Sequence, residues 1–354
     1  MTKRFAGFSI LLFFILMSHS SAYVSSPQLT RKPTPPDQPA QGPAGSQYLH
    51  GKVRHTIHGQ GLTIYHLFEP ADPAPESAEV LVYFHAKNVI TPEPYLGVIT
   101  QTVRMGYTVI FHNYGEIPGA DIQPGYDVNS AATIKQAFEV LRSPGHVHPK
   151  SNRVSLAGHS SGAWILLFMA KQWAKYGLPE IVAIMLHDPT TLQKMYADPD
   201  TLTEFYPIFG YEMRNIPPHT FFAFITCEET RKYHEMVYNR NFFAADWLYF
   251  DHILCDRKNF FEIPSDYYGS PVLISAHITG ITNVGSIFLD QIDYGFWKLS
   301  VGLLNLAYRG TDGDYVIGNG PKVRDMQRWS DGRPVNLIRT AVEIFGGSCP
   351  PAAN

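Results

Sequence analysis

The sequence predicts an α/β fold: a mostly parallel central sheet with helices on both faces. Three observations carry that expectation. Short β-rich apolar runs recur along the chain with helical stretches between them. Several of these runs are continuously apolar, as strands buried on both faces are. One of them passes directly into a helix through Gly158-His159-Ser160-Ser161-Gly162. The 354 residues, 45% hydrophobic and 17% charged, suffice for one large domain with a full core.

The elements follow in order. Lys3 and Arg4 precede an apolar run, Phe5 to Met17, followed by small residues at Ser20 and Ala22. That is the order of a secretory signal peptide, 1–22, cleaved near Ala22 to give an extracytoplasmic protein. The run falls short of the roughly 20 residues that span a bilayer; an uncleaved anchor is the alternative. Residues 23–50, rich in Pro, Gly, Ser and Gln, read as a disordered linker. A domain over 51–348 and a flexible tail, 349–354, complete the chain.

Within the domain, "VRHTIHG" and "LTIYHLFEP" predict an opening hairpin. Strands are expected at "EVLVYFH" (79–85), "GYTVIFHNY" (106–114), "NRVSLAG" (152–158), "EIVAIMLH" (180–187), "TFFAFIT" (220–226) and "PVLISA" (271–276). Helices are expected at about 93–104, 129–142, 161–175 (amphipathic) and 285–305. In such sheets chemistry gathers at the carboxyl ends of the strands.

Composition excludes little, but usefully. A formal net charge of −3 gives no electrostatic reason for a nucleic-acid partner. With three cysteines, Cys227, Cys255 and Cys349, at least one stays unpaired within a monomer. His146-x-His148 lies in a Pro/Gly loop without a third ligand at a usual spacing, and reads as surface.

The strand-to-helix turn is where the chemistry points. Glycines at 158 and 162 permit a sharp, crowded elbow that lifts the Ser160 hydroxyl above the sheet. The backbone N–H of Ser161, opening the helix, faces the place where an oxyanion would form. A serine hydroxyl needs a base, usually His. Beyond residue 200 stand His219, His234, His252 and His277, and only His277 directly follows a strand-like run. Two carboxylates compete to orient it: Asp188, directly after "EIVAIMLH", and Glu229, after the next strand. Local reasoning leaves both open. The loop His85-Ala86-Lys87-Asn88 after "EVLVYFH" supplies the second oxyanion donor, the N–H of Ala86 or of Lys87. The Lys87 side chain reads as a solvated rim residue.

From about 79 to 342 the chain resembles chlorophyllases and their dienelactone-hydrolase-like relatives in the α/β-hydrolase superfamily. The segments that carry the likeness are "VLVYFHAKN", "VRMGYTVIFHNY", "RVSLAGHSSGA", "IMLHDPTT", "VLISAHITGI" and "NGPKVRDMQRWSDGRPVNLIRTAV". The resemblance implies an α/β-hydrolase fold, ester cleavage, and Asp188 rather than Glu229 as the acid. Three places depart from the family pattern: Ser161-Gly162-Ala163 in place of Arg-Gly-Gly, Ala86 in place of glycine, and Thr279 in place of aspartate. Chlorophyll itself is therefore not carried over as substrate.

The expected activity is that of a secreted carboxylic ester hydrolase using Ser160, His277 and Asp188 without metal or cofactor. An inactive binding protein that keeps the fold is the alternative. The insertion Pro189–Pro218, after the strand ending near His187, carries Met195, Tyr196, Phe205, Tyr206, Phe209, Tyr211 and Met213. It predicts an apolar pocket wall, hence a small-molecule ester with a medium-chain or bulky apolar group as substrate, the alternative being that these side chains pack down onto the sheet. Transient contact with a lipid or membrane surface is also expected.

Overall fold

The computed structural model describes residues 32–116, 125–189, 212–238, 250–279 and 290–347. The expected signal peptide (1–22), most of the insertion (190–211) and the tail (349–354) lie outside the described residues.

The opening hairpin forms as expected from β1 (Lys52–His58) and β2 (Tyr65–Ala71), paired antiparallel with Thr56 opposite Leu67. β3 (Ser77–Phe84), β4 (Tyr107–His112), β5 (His148–His159), β6 (Glu180–His187), β7 (Phe221–Cys227) and β8 (Lys258–Ile263) are mutually parallel. A two-residue β9 (Arg339–Thr340) closes the far edge. Among the described residues nine strands run in the order β1-β2-β4-β3-β5-β6-β7-β8-β9. Because side chains alternate across a strand, each parallel strand feeds two cores. Val80, Val82 and Phe84 of β3 join one cluster, while Leu81 and Tyr83 join the other. That two-sided burial is why these strands read as unbroken apolar runs.

Helices cover both faces. α1 (Leu96–Arg104) packs with the second cluster, α2 (Tyr126–Leu141) and α3 (Ser161–Ala170) with the first. α4 (Glu228–Tyr238) follows β7, and α5 (Gln291–Arg309) lies on the α1 side. Every residue of α3 is buried, so it is not the amphipathic helix expected. It also stops at Ala170, ahead of a separate turn of helix at Trp173–Tyr176 that Gly177 ends at φ +64°. α5 starts later than expected because Asp290 caps it: its carboxylate accepts the Ile292 N–H at 2.8 Å while Asp293 accepts the Asp290 N–H at 3.1 Å.

Two expectations fail for physical reasons. "PVLISA" is not a strand; it contributes one isolated bridge, Leu273 to Asp266. The strand beside β7 is instead "KNFFEI", whose polar residues concealed it. Lys258 Nζ donates to the Phe250 carbonyl at 2.6 Å, Asn259 to the Gly318 carbonyl at 2.8 Å, and Glu262 accepts from Arg339 at 2.7 Å. With those groups satisfied, the segment is buried throughout. Nor is the linker disordered where it is described. Ser270 N–H donates to the Pro33 carbonyl at 2.8 Å and Gln101 Nε2 to the Pro43 carbonyl at 3.0 Å. The domain thus supplies donors to a Pro-rich strap that has few of its own. Cys227 is free and buried, and Cys255 is disulfide-bonded.

Candidate active site

Ser160 sits between β5 and α3 with φ +55° and ψ −125°, a strained conformation for a residue with a side chain. The flanking glycines show why it is tolerated. A Cβ on Gly158 would lie 2.8 Å from the Ala163 backbone, and one on Gly162 would collide with the carbonyl oxygens of Phe84 and His85. Gly162 therefore lets the start of α3 press against the end of β3.

Asp188 follows β6 directly, is fully buried, and also has positive φ, +39°. Its Oδ1 accepts from the Cys227 N–H at 3.0 Å and the Thr226 hydroxyl at 3.2 Å. Its Oδ2 accepts from the Thr230 hydroxyl at 2.7 Å and lies 2.7 Å from His277 Nδ1. Burial pushes the carboxyl up, but hydrogen bonds from His277, Thr230 and the Cys227 amide outweigh it and hold Asp188 below the usual aspartate value. A carboxylate only accepts, so His277 Nδ1 carries the proton and Nε2 is left as an acceptor. Nε2 lies 2.9 Å from Ser160 Oγ.

His277 rides on a loop rather than a strand end. Ser275 N–H donates to Ser265 Oγ at 3.0 Å, the Ser275 carbonyl accepts the Glu229 N–H at 3.0 Å, and Thr279 closes a turn on Ala276 at 2.7 Å. Glu229 itself turns elsewhere. Its carboxylate accepts from Tyr267 Oη at 2.8 Å and Lys232 Nζ at 3.2 Å in the first turn of α4. The structure brings Asp188 to His277, and holds Glu229 at a helix N-terminus.

The loop after β3 is tied down amide by amide. Ala86 N–H donates to Tyr95 Oη at 2.8 Å, Lys87 N–H to Ser161 Oγ at 2.9 Å, and Asn88 N–H to Glu116 Oε1 at 2.6 Å. Glu116, buried, takes the Tyr114 hydroxyl on its other oxygen at 2.9 Å. The Ala86 amide is thus committed to Tyr95 and the Lys87 amide to the Ser161 hydroxyl, while Ser161 itself opens α3. Thr230, Tyr95, Tyr114 and Glu116 were not singled out from sequence. Thr230 stands in the first turn of α4, and nothing local marks it as a carboxylate's partner. His146, weighed as a metal ligand, bonds Glu69 Oε2 at 3.0 Å, and no group of three metal-ligating side chains occurs among the described residues.

Six parallel strands, an antiparallel hairpin at one edge and a serine elbow after the central β5 define the α/β-hydrolase fold. No protein-family model and no curated protein matches the chain. Among solved structures it is similar to a carboxyl esterase 2 from the mycorrhizal fungus Tuber melanosporum, at 18% identity and a TM-score of 0.41, over 61% of this chain and 79% of that one. The fold assignment rests on strand order and elbow.

Proposed function

We propose that the protein is a serine hydrolase that cleaves carboxylic esters through an acyl-enzyme. The observation that carries this reading is the unbroken line Ser160 Oγ–His277 Nε2 (2.9 Å) and His277 Nδ1–Asp188 Oδ2 (2.7 Å). His277 takes the hydroxyl proton as Ser160 attacks the ester carbonyl, and Asp188 stabilises the resulting imidazolium. The N–H groups of Lys87 and Ser161 receive the oxyanion; the substrate oxygen replaces the Ser161 hydroxyl that holds Lys87 N–H in the free protein. His277 then protonates the departing alcohol, and water releases the acid by the same steps in reverse.

The test is direct. Wild-type protein is expected to hydrolyse p-nitrophenyl butyrate and to be labelled by a fluorophosphonate probe. Ser160→Ala should lose at least about a thousandfold in kcat and all labelling. A wild type that is neither labelled nor active is instead a binding protein on this fold. Export rests on the charged, apolar, small-residue order of 1–22, and the Cys255 disulfide suits an oxidising compartment. Terminal sequencing of the exported protein, expected to start near Tyr23, checks it.

A further inference from the structure

His159, the residue before Ser160, is fully buried and has both ring nitrogens engaged. Nδ1 lies 3.1 Å from Tyr95 Oη, and Nε2 lies 2.8 Å from the backbone oxygen of His277. Tyr95, also fully buried, accepts the Ala86 N–H on the same Oη at 2.8 Å. The protons in this chain are determined by its ends. A carbonyl oxygen only accepts, so Nε2 carries the proton and donates to His277. Nδ1 is then an acceptor, and the proton it receives is that of the Tyr95 hydroxyl. Tyr95 in turn accepts from Ala86 with its lone pair. Every bond is made once, all donated in one direction, from the 85–88 loop to the loop that bears His277.

The geometry points to His159 as a positioning residue that, through Tyr95, fixes the His277 loop and the 85–88 loop in register across Ser160. The inference rests on the esterase reading above. Neither loop belongs to the ladder at these points: His277 lies beyond the isolated bridge, and Ala86 lies beyond the end of β3. A tie between them sets the base and the oxyanion hole relative to each other rather than each to the sheet. Burial supports the arrangement by keeping the imidazole neutral, since it drives His159 well below the usual histidine value. A core histidine that only filled space would pack against His187 and His277, whose rings it meets at centroid distances of 4.7 and 4.9 Å. Phenylalanine would serve such a role equally well.

Tyr95→Phe, His159→Phe, His159→Gln and the Tyr95→Phe/His159→Phe pair separate the two roles on p-nitrophenyl butyrate. A misplacement of reacting groups by about an ångström costs up to about a hundredfold, so Tyr95→Phe and His159→Phe should lower kcat by about ten- to a hundredfold with KM nearly constant. His159→Gln, whose amide N–H can reach the His277 carbonyl, should recover most of that loss. The pair should lose no more than the worse single change, because both cut one chain. An independent readout is the ¹⁵N spectrum of the His159 ring in the wild type, expected to show Nε2 protonated and Nδ1 bare. If His159→Phe does not fold, Tyr95→Phe, which removes one hydroxyl, carries the kinetic comparison alone. Wild-type kcat in Tyr95→Phe or His159→Phe, additive losses in the pair, or a proton on Nδ1 would overturn the inference. An inactive wild type overturns the esterase reading instead, and the ring spectrum then decides the relay.

Discussion

Thr230 Oγ1 lies 2.7 Å from Asp188 Oδ2, the same carboxylate oxygen that meets His277 Nδ1 at 2.7 Å. With Oδ1 held by Thr226 and the Cys227 amide, the carboxylate cannot turn about its Cβ–Cγ bond without breaking bonds on both sides. Thr230→Val keeps the shape and removes one charge-assisted bond, worth about 1.5 kcal/mol or more. Esterase kcat/KM should fall by about tenfold. Unchanged kinetics would mean that Thr230 merely fills space.

Asp188→Asn and Glu229→Gln separate the two carboxylates that compete in the sequence. The amide at 188 cannot stabilise the imidazolium and favours the wrong tautomer, so kcat should fall by at least about a thousandfold. Glu229→Gln should stay within about twofold, since its partners are Tyr267 and Lys232. The reverse ranking on one ester would transfer the role to Glu229.

Gly162→Ala places a methyl group against the carbonyl oxygens of Phe84 and His85. These are backbone atoms at the end of β3, so the elbow or the loop must move. Overpacking of this kind costs about 1–3 kcal/mol. Calorimetry should show a lowered unfolding temperature, and ester turnover should fall more than stability does. A variant with wild-type melting and turnover would show that α3 and β3 are less tightly apposed.

Buried histidines make the protein acid-sensitive. Burial lowers His85 to about 4, His112 to about 3 and His187 to about 3. Each is neutral in the folded protein at pH 5, whereas in the unfolded chain each takes up a proton below about 6.5. The unfolded state therefore binds more protons between about pH 6.5 and 4, and stability falls as pH falls through that window. Each such group contributes a slope of up to about 1.4 kcal/mol per pH unit. Asp188, whose carboxyl is lowered, adds its own loss only below the usual aspartate range. Thermal unfolding followed from pH 7.5 to 4.5 should show a steep decline starting near 6.5; a flat profile down to pH 5 would contradict it.

Residues 190–211 lie outside the described residues, but their sequence still makes a prediction. An apolar wall carrying Phe205 and Phe209 should raise kcat/KM from acetyl to medium-chain esters, by up to about 0.8 kcal/mol per buried methylene. Phe205→Ser with Phe209→Ser should flatten the trend. A preference for acetate esters in the wild type would exclude an apolar pocket there.

What sequence reveals here depends on whether a residue's surroundings are local. β3 to β7 could be read because burial on both faces makes each an unbroken apolar run, and the elbow because its two glycines stand beside the serine they serve. β8 could not. Its lysine, asparagine and glutamate find partners at Phe250, Gly318 and Arg339, which only the folded chain brings near. The converse held at "PVLISA", where apolar content suggested a strand but Ile274 is half exposed. Position after that run still points to His277, because its loop brings the imidazole within 2.9 Å of Ser160 Oγ as a strand end would. The clamp on Asp188 and the ties on the 85–88 loop are contacts between residues distant in sequence, and no spacing encodes them.

The attachment of the His277 loop sets the order in which the protein fails on warming. Residues 271–279 hold to the body through one bridge and a few further hydrogen bonds, whereas Ser160 and Asp188 adjoin central strands. Opening that loop exposes little apolar surface, so it requires far less free energy than melting the sheet. Heat inactivation should therefore begin while far-UV circular dichroism is still native, and it should reverse on cooling as the histidine returns to a serine that never moved.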